Sequence, residues 1–166
     1  EEAAGASPKK GKKKEIPLNE QAEIATYRTS AGDLAMNAYA VRKAIVSAAV
    51  AYKSPDKRKR GNMRENVVHI QPTQELIPIE KKNGTLVDKY VVDIRRGVNK
   101  TTRGGIVVAR PRYDEWVLPI SFIYEPSLIG ESTLLAFACD AGNRIGIGAF
   151  RPQCEGWFGR FEVEKI

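Results

Sequence analysis

The residues best suited to binding chemistry lie in one stretch near the end of the printed sequence. Residues 142–161 contain five glycines, three arginines and four aromatic residues. Glycine lets the backbone approach a ligand closely or adopt a positive φ. Arginine presents a planar charged fork that suits phosphate, and aromatic rings can stack on bases. This combination predicts a loop that contacts nucleic acid.

Each residue type has its own role in this interpretation. Glycine N–H groups would point at phosphates, as in amide nests, arginines would neutralise the phosphates, and Phe150 or Trp157 would stack on bases. The candidate residues are Arg144, Gly146, Gly148, Phe150, Arg151, Gly156, Trp157, Gly159 and Arg160. The alternative is that the glycines only form tight turns and the aromatic residues close the core. A dinucleotide fingerprint is not indicated, because these glycines follow a predicted helix rather than a first strand.

Positive charge is concentrated in three blocks of the chain, whose overall net charge is +7. Residues 1–14 have a net charge of +3, residues 53–64 of +5 and residues 89–112 of +6, so the remainder is net −7. Such segregation is typical of a phosphate-binding face on an otherwise acidic domain, although basic runs can also be solvated loops. The blocks add the candidates Arg58, Arg60, Arg95, Arg96, Lys100 and Arg103.

Residues suited to catalysis are few. His69 is the only histidine and the weak candidate for metal-independent RNA cleavage, with a structural role in a strand as the alternative. Cys139 and Cys154 are expected to be free thiols. With His69 they make three ligands, fewer than the four of a structural zinc site. No paired carboxylates with metal spacing and no nucleophile elbow are present. We therefore expect no cofactor, no metal and no enzymatic activity.

Two helices are predicted to position the loop. Asn37 is a suitable N-cap for an amphipathic, alanine-rich helix that ends near Tyr52. A second helix is predicted over residues 127–141, with Ser127 or Ser132 as its cap. Gly142 would then take the left-handed position that ends this helix.

Strands are predicted for the remaining apolar segments. They cover residues 66–70, 76–80, 89–98, 106–110, 115–124 and 160–166, with a turn at residues 82–84 and with 106–110 paired to 115–124. The order of elements predicts an α+β fold, in which two helices cover one face of a mainly antiparallel sheet. We expect a ferredoxin-like arrangement with extensions.

The ends of the printed sequence differ in character. Residues 1–15 are rich in lysine and predict a disordered basic tail, whereas residues 16–166 are expected to form a single α+β domain. No signal peptide or membrane span is indicated. We therefore expect a cytoplasmic protein with no membrane partner.

The glycine-rich stretch also carries a family resemblance. Residues 145–152, with sequence IGIGAFRP, and residues 156–163, with sequence GWFGRFEV, resemble the C-terminal glycine-rich loop of repeat-associated (RAMP-like) proteins. Those are the ferredoxin-like RNA-binding subunits of CRISPR effector complexes. The chain is also similar to phage-borne proteins that pair this loop with a start like residues 27–34. The resemblance implies RNA contact by six loop residues, namely Gly146, Gly148, Gly156, Gly159, Arg151 and Arg160.

Three functions follow as expectations. The first is a non-enzymatic protein that binds RNA or single-stranded DNA, as part of a phage or prokaryotic ribonucleoprotein complex. The second is an assembly protein that binds protein partners through the apolar segment 116–120. The third is a small RNA-cleaving enzyme that uses His69. The family includes such enzymes, but this chain is small for a backbone subunit and its histidine is not in an N-terminal loop.

Overall fold

The computed structural model describes residues 16–55, 61–99 and 101–166. The predicted tail at residues 1–15 and the candidates Arg58, Arg60 and Lys100 lie outside the described residues. The chain forms two compact units. The hairpin unit contains the described residues up to Thr26 together with Tyr90–Asp114, and the main unit contains Tyr27–Lys89 and Glu115–Ile166.

The described residues form short helices and strands. In chain order these are α1 Leu18–Ile24, β1 Tyr27–Arg28, β2 Leu34–Asn37, α2 Ala38–Ala49, α3 Arg64–Val67, β3 Gln71–Pro72, β4 Leu76–Pro78, β5 Val91–Val98, β6 Gly105–Arg112, β7 Phe122–Ile123 and α4 Glu131–Asp140. A π-helical turn, Ala141–Ile145, continues α4, and a 3-10 turn covers Pro152–Cys154.

All strand pairs between these elements are antiparallel, and the predicted α+β class is confirmed. The strands are divided among three small sheets, β1-β2-β4, β3-β7 and β5-β6, instead of the one sheet expected of a ferredoxin-like unit. Strands β3 and β4 end at Pro72 and Pro78. Proline has no N–H for a ladder, so these strands stay too short to build a larger sheet.

Helix α2 is the centre of the main unit. The side chain of Asn37 accepts a hydrogen bond from the Tyr39 N–H (2.8 Å), which confirms the predicted cap. The buried side of α2 packs against α4, where Phe137 is the largest buried side chain. The helix ends at Ala49 rather than near Tyr52, because the Tyr52 N–H bonds to the Ala49 carbonyl (3.2 Å) in a tighter turn.

The strand predicted at residues 66–70 is wrong. This segment contains α3 and a turn, and the buried residues Met63, Val67 and Ile70 recur at helical spacing. The guanidinium of Arg42 fixes the turn by donating to the carbonyl oxygens of Val68 and Ile70. The β-branched residues Val67, Val68 and Ile70 misled the prediction, because the buried positions 63, 67 and 70 follow a helical spacing and not an alternating one.

The predicted partner of residues 106–110 is also wrong. Strand β6 pairs along its whole length with β5, from Val91 opposite Arg112 to Val98 opposite Gly105. Residues 115–124 contribute only β7 and a single bridge from Val117 to Glu80. The predicted turn at residues 82–84 is confirmed, with Gly84 at φ +77°.

The last elements differ from the prediction in three ways. Gly130 begins α4 without a side-chain cap, so neither predicted serine fills that role. Gly142 lies inside the π-helical turn and not at a left-handed cap. A Cβ at this position would collide with the Phe161 carbonyl. Residues 160–166 form no strand within the part of the chain that the structure describes.

The hairpin unit consists of α1 and the β5-β6 hairpin. Helix α1 packs against both strands. Ala22 of the helix is completely buried, and Ala109 of β6 is almost completely buried. The Tyr90 hydroxyl donates to Glu23 Oε2 (2.6 Å), and the rings of Tyr90 and Tyr113 meet edge to face.

Candidate functional site

The glycine-rich stretch folds back on itself in the main unit. Backbone hydrogen bonds join its two halves: the Ile147 N–H donates to the Gly159 carbonyl (2.9 Å), and the Phe158 N–H to the Phe150 carbonyl (2.8 Å). We call residues 142–161 the glycine loop. Because its two halves are hydrogen-bonded to each other, the loop has a defined conformation within the main unit.

Most glycines of this loop permit close backbone contact. A Cβ on Gly156 or Gly159 would collide with the carbonyl of Phe150 or Ile147. One on Gly146 would lie 2.6 Å from Pro152 Cδ. The amides of Gly146 and Gly156 donate internally, to the carbonyls of Ala141 (2.8 Å) and Arg151 (3.1 Å). These glycines therefore hold the loop together, as the turn-forming alternative expected.

Gly148 differs from the other loop glycines. Its φ of +85° is left-handed, yet a Cβ at this position would have no neighbour within 4 Å. Open space thus lies in front of its backbone. Gly148 borders a recess of about 120 Å³ between the loop and α2. Its lining consists of Ala40, Lys43, Ala44, Ser47, Ile145, Gly146, Ile147, Gly148, Arg151 and Gln153.

Helix α2 supplies one wall of this recess. Ala40, Lys43, Ala44 and Ser47 lie three and four residues apart, so they share one face of the helix. The two alanines are small and leave room above the helix. The ammonium of Lys43 and the hydroxyl of Ser47 are the groups on this wall that can donate to an anion.

Arg151 supplies the opposite wall and is held in position by the loop. Its Nη1 donates to the Gly148 carbonyl (2.9 Å), and its Nε and Nη2 both donate to Gln153 Oε1 (3.2 Å). A guanidinium has five N–H donors, so two remain for a ligand. Among the described residues, the lining contains two cationic side chains and no carboxylate. The recess is therefore suited to a small anion.

The guanidinium of Arg144 is hydrogen-bonded to a neighbouring carboxylate. Its guanidinium donates twice to the carboxylate of Asp140, with an Nε–Oδ1 distance of 2.5 Å, and the Tyr52 hydroxyl donates to the same carboxylate (3.2 Å). The hydrogen bond from Arg144 lowers the pKa of Asp140. Desolvation, followed by the Asp140 contact, raises the pKa of Tyr52. This cluster fixes the π-helical turn, since Asp140 precedes it and Arg144 lies within it.

The aromatic candidates form a cluster of three rings. Phe150 and Trp157 meet edge to face with their centroids 4.8 Å apart, and Phe158 completes the group at 5.7 and 6.0 Å. Trp157 remains 63% exposed, whereas Phe150 is partly buried. Trp157 is therefore the ring that can receive a base, and Phe150 supports it. Arg160 is also exposed and makes no hydrogen bond or ion pair with the residues described.

The remaining candidates lie elsewhere. Arg95, Arg96 and Arg103 belong to the hairpin unit, where Arg95 contacts Asp93 (2.5 Å). His69 is exposed in the turn after α3. Over the described ranges, no three residues among His, Cys, Asp and Glu are arranged to hold a metal ion.

Sequence reasoning missed Lys43 and Ser47. Both lie on α2, which the sequence predicts as an amphipathic helix without a role for these two residues. The sequence did contain an indication of this surface, because the small residues Ala40 and Ala44 lie beside Lys43 and Ser47 on the same face of the helix. Nothing in the sequence indicates that the glycine loop covers this particular stripe.

Comparisons with protein-family models, with curated proteins and with solved structures found no match for this chain. The resemblance of the glycine loop to RAMP-like proteins therefore stays a prediction. In residues 16–55, 61–99 and 101–166, no helix has the length and apolar character needed to cross a bilayer.

Proposed function

We propose that this protein binds RNA or single-stranded DNA without cleaving it, and that the recess between α2 and the glycine loop holds one phosphate of the strand. The observation that carries the proposal is the convergence of Lys43 and Arg151 on a recess beside the open backbone of Gly148. Two cationic walls without a facing carboxylate favour an anion over a neutral ligand.

The size of the recess favours a phosphate of a polymer over a whole cofactor. Small-molecule sites usually enclose about 300–1,000 Å³, whereas this recess encloses about 120 Å³. A single phosphate group fits such a space, and the sugar and base of its nucleotide would lie outside. The exposed ring of Trp157 on the same loop offers a stacking surface for a base, and Arg160 offers a further charge.

Salt-dependent binding of a labelled single strand of about 12 nucleotides tests the proposal. Phosphate neutralisation releases counterions, so affinity must fall steeply between about 50 and about 200 mM salt. K43Q/R151Q should reduce the slope of log K against log salt by about 0.7, because the two side chains hold one phosphate and each neutralised phosphate on a single strand contributes about 0.7.

The charge-matched control is K81Q/K82Q, which removes two positive charges away from the recess, one of them paired with Asp88 (3.5 Å). Its slope should equal that of the unaltered chain. The proposal is contradicted if binding is undetectable at the lower salt concentration, or if both double variants weaken binding equally. A cytoplasmic location in a prokaryotic cell and a place in a ribonucleoprotein complex belong to the same proposal, and both rest on the resemblance of the loop.

The assembly alternative depends in part on the apolar segment 116–120. Trp116, Leu118 and Ile120, expected to seek a partner, pack against the core of the main unit. Val117 and Pro119 are the exposed residues between them, and the backbone of Val117 pairs with Glu80. The cleavage alternative rests on His69 alone. His69→Ala should abolish cleavage of a structured RNA if the alternative holds.

A further inference from the structure

The β5-β6 hairpin is a two-stranded ribbon that is exposed on both faces near its tip. Cross-strand partners share a face, and successive residues alternate between faces. Val98 and Val107 therefore lie on one face and Ile106 on the other, and they are 67%, 54% and 40% exposed. Neither outer edge of the ribbon pairs with another strand among the described residues.

Hydrogen bonds join several of the described residues near the tip of this ribbon. Asn99 Oδ1 accepts the N–H groups of Thr101 (2.9 Å) and Thr102 (3.2 Å). The Asn99 N–H bonds to the Gly104 carbonyl (2.9 Å) and closes the loop. Arg103 holds a left-handed φ of +55° and is exposed. The ribbon thus presents the exposed cation of Arg103 near its end.

The acidic residue in the ribbon is already neutralised. Asp93 contacts Arg95 (2.5 Å) and Arg112 (3.7 Å), and its side chain is largely covered. Arg96 and Arg110 are exposed and have no carboxylate partner within the described part of the chain. Arg96 lies opposite Val107 and Arg110 lies opposite Asp93, so these two free cations project from opposite faces.

Cations on both faces and at the tip fit one kind of anionic partner. A flat acidic surface would contact one face and leave the other charge unused. A groove of a double helix has a phosphate wall on each side, so it can engage both faces at once. The major groove of B-DNA is about 12 Å wide and admits a two-stranded ribbon. The major groove of duplex RNA is too deep and narrow for side chains to read.

We propose that the β5-β6 hairpin enters the major groove of double-stranded DNA, with Arg96 and Arg110 contacting phosphates on the two sides. This inference goes beyond the proposed function and uses a different part of the chain.

The test uses the full chain and three labelled probes: a DNA duplex of two helical turns, about 20 base pairs, an RNA duplex of the same sequence, and one single strand. R96Q/R110Q should weaken binding to the DNA duplex at least tenfold and reduce its salt slope by about 1.8, because each phosphate contact on B-DNA contributes about 0.9. R96K/R110K should retain the slope, and K81Q/K82Q is the charge-matched control.

Two results would overturn this inference. One is equal loss of duplex affinity in R96Q/R110Q and K81Q/K82Q; the other is an RNA duplex that binds as tightly as the DNA duplex with the same response to R96Q/R110Q. Circular dichroism shows whether R96Q/R110Q has lost its fold. If it has, the DNA affinity and salt slope of R96K/R110K alone test the inference. If the single strand fails to bind while the DNA duplex responds as expected, the proposed function fails and this inference stands.

Discussion

Replacing Gly159 with alanine should destabilise the main unit more than replacing Gly148 or Gly32, where the space for a Cβ is open. Gly159 has a φ of +67°. A Cβ there would collide with the Ile147 carbonyl, and because the clashing atoms belong to the backbone, no flexible side chain can move aside. A left-handed conformation costs an alanine about 1–2 kcal/mol. Forcing an extra carbon into packed atoms adds about 1–3 kcal/mol.

The expected loss of unfolding free energy for Gly159→Ala is therefore about 2–5 kcal/mol. Gly148→Ala and Gly32→Ala are matched controls, because both glycines have positive φ but open space where the Cβ would lie. They should lose only the backbone cost, about 1–2 kcal/mol. Domains of this size are stable by about 5–15 kcal/mol, so the difference is measurable.

Urea unfolding with linear extrapolation measures these free energies. The reasoning requires Gly159→Ala to unfold at clearly lower urea than both controls with a similar m-value. If the three variants lose the same free energy, close backbone contact does not explain Gly159, and the glycine would need another role.

Three further predictions concern the core, the ion pair and the exposed ring. Phe137→Ala should cost about 3–5 kcal/mol in urea unfolding, because it empties the largest buried site; a loss below 1 kcal/mol would contradict the assigned core. Because the folded pKa of Asp140 is depressed, its stabilisation is present above the ordinary value of 3.8 and is lost as pH falls through the folded pKa. Asp140→Asn should thus destabilise the protein at neutral pH and converge with the unaltered chain in acid, whereas a constant difference would refute this. Trp157→Ala should lose two edge-to-face ring contacts, worth about 0.5–1.5 kcal/mol each, and should cost about 1–3 kcal/mol of single-strand affinity, measured by fluorescence anisotropy; unchanged affinity would exclude stacking on this ring.

The sequence predicted best where a local signal and the tertiary environment agree. Asn37 followed by apolar residues at helical spacing marked α2, and the cap bond to Tyr39 is present. The turn at Gly84 was predicted from its residue types alone. The hairpin strand β5 was predicted to within two residues, because its alternation is strong.

Prediction failed where long-range contacts decide the local structure. Gly142 was expected to end a helix, but the approach of the Phe161 backbone explains why this position lacks a side chain. The turn near His69 is fixed by Arg42, which lies far away in the sequence. The recess depends on the glycine loop covering Lys43 and Ser47, a contact that no periodicity reports.

The most direct test of the central claim is a titration of the isotope-labelled full chain with a short single-stranded oligonucleotide, followed by amide NMR spectra. The account predicts saturable shifts of Ser47 and Gly148 amides and of the Arg151 Nε–H signal, which K43Q/R151Q suppresses. If the oligonucleotide binds but these three signals do not shift, a phosphate site between α2 and the glycine loop is contradicted.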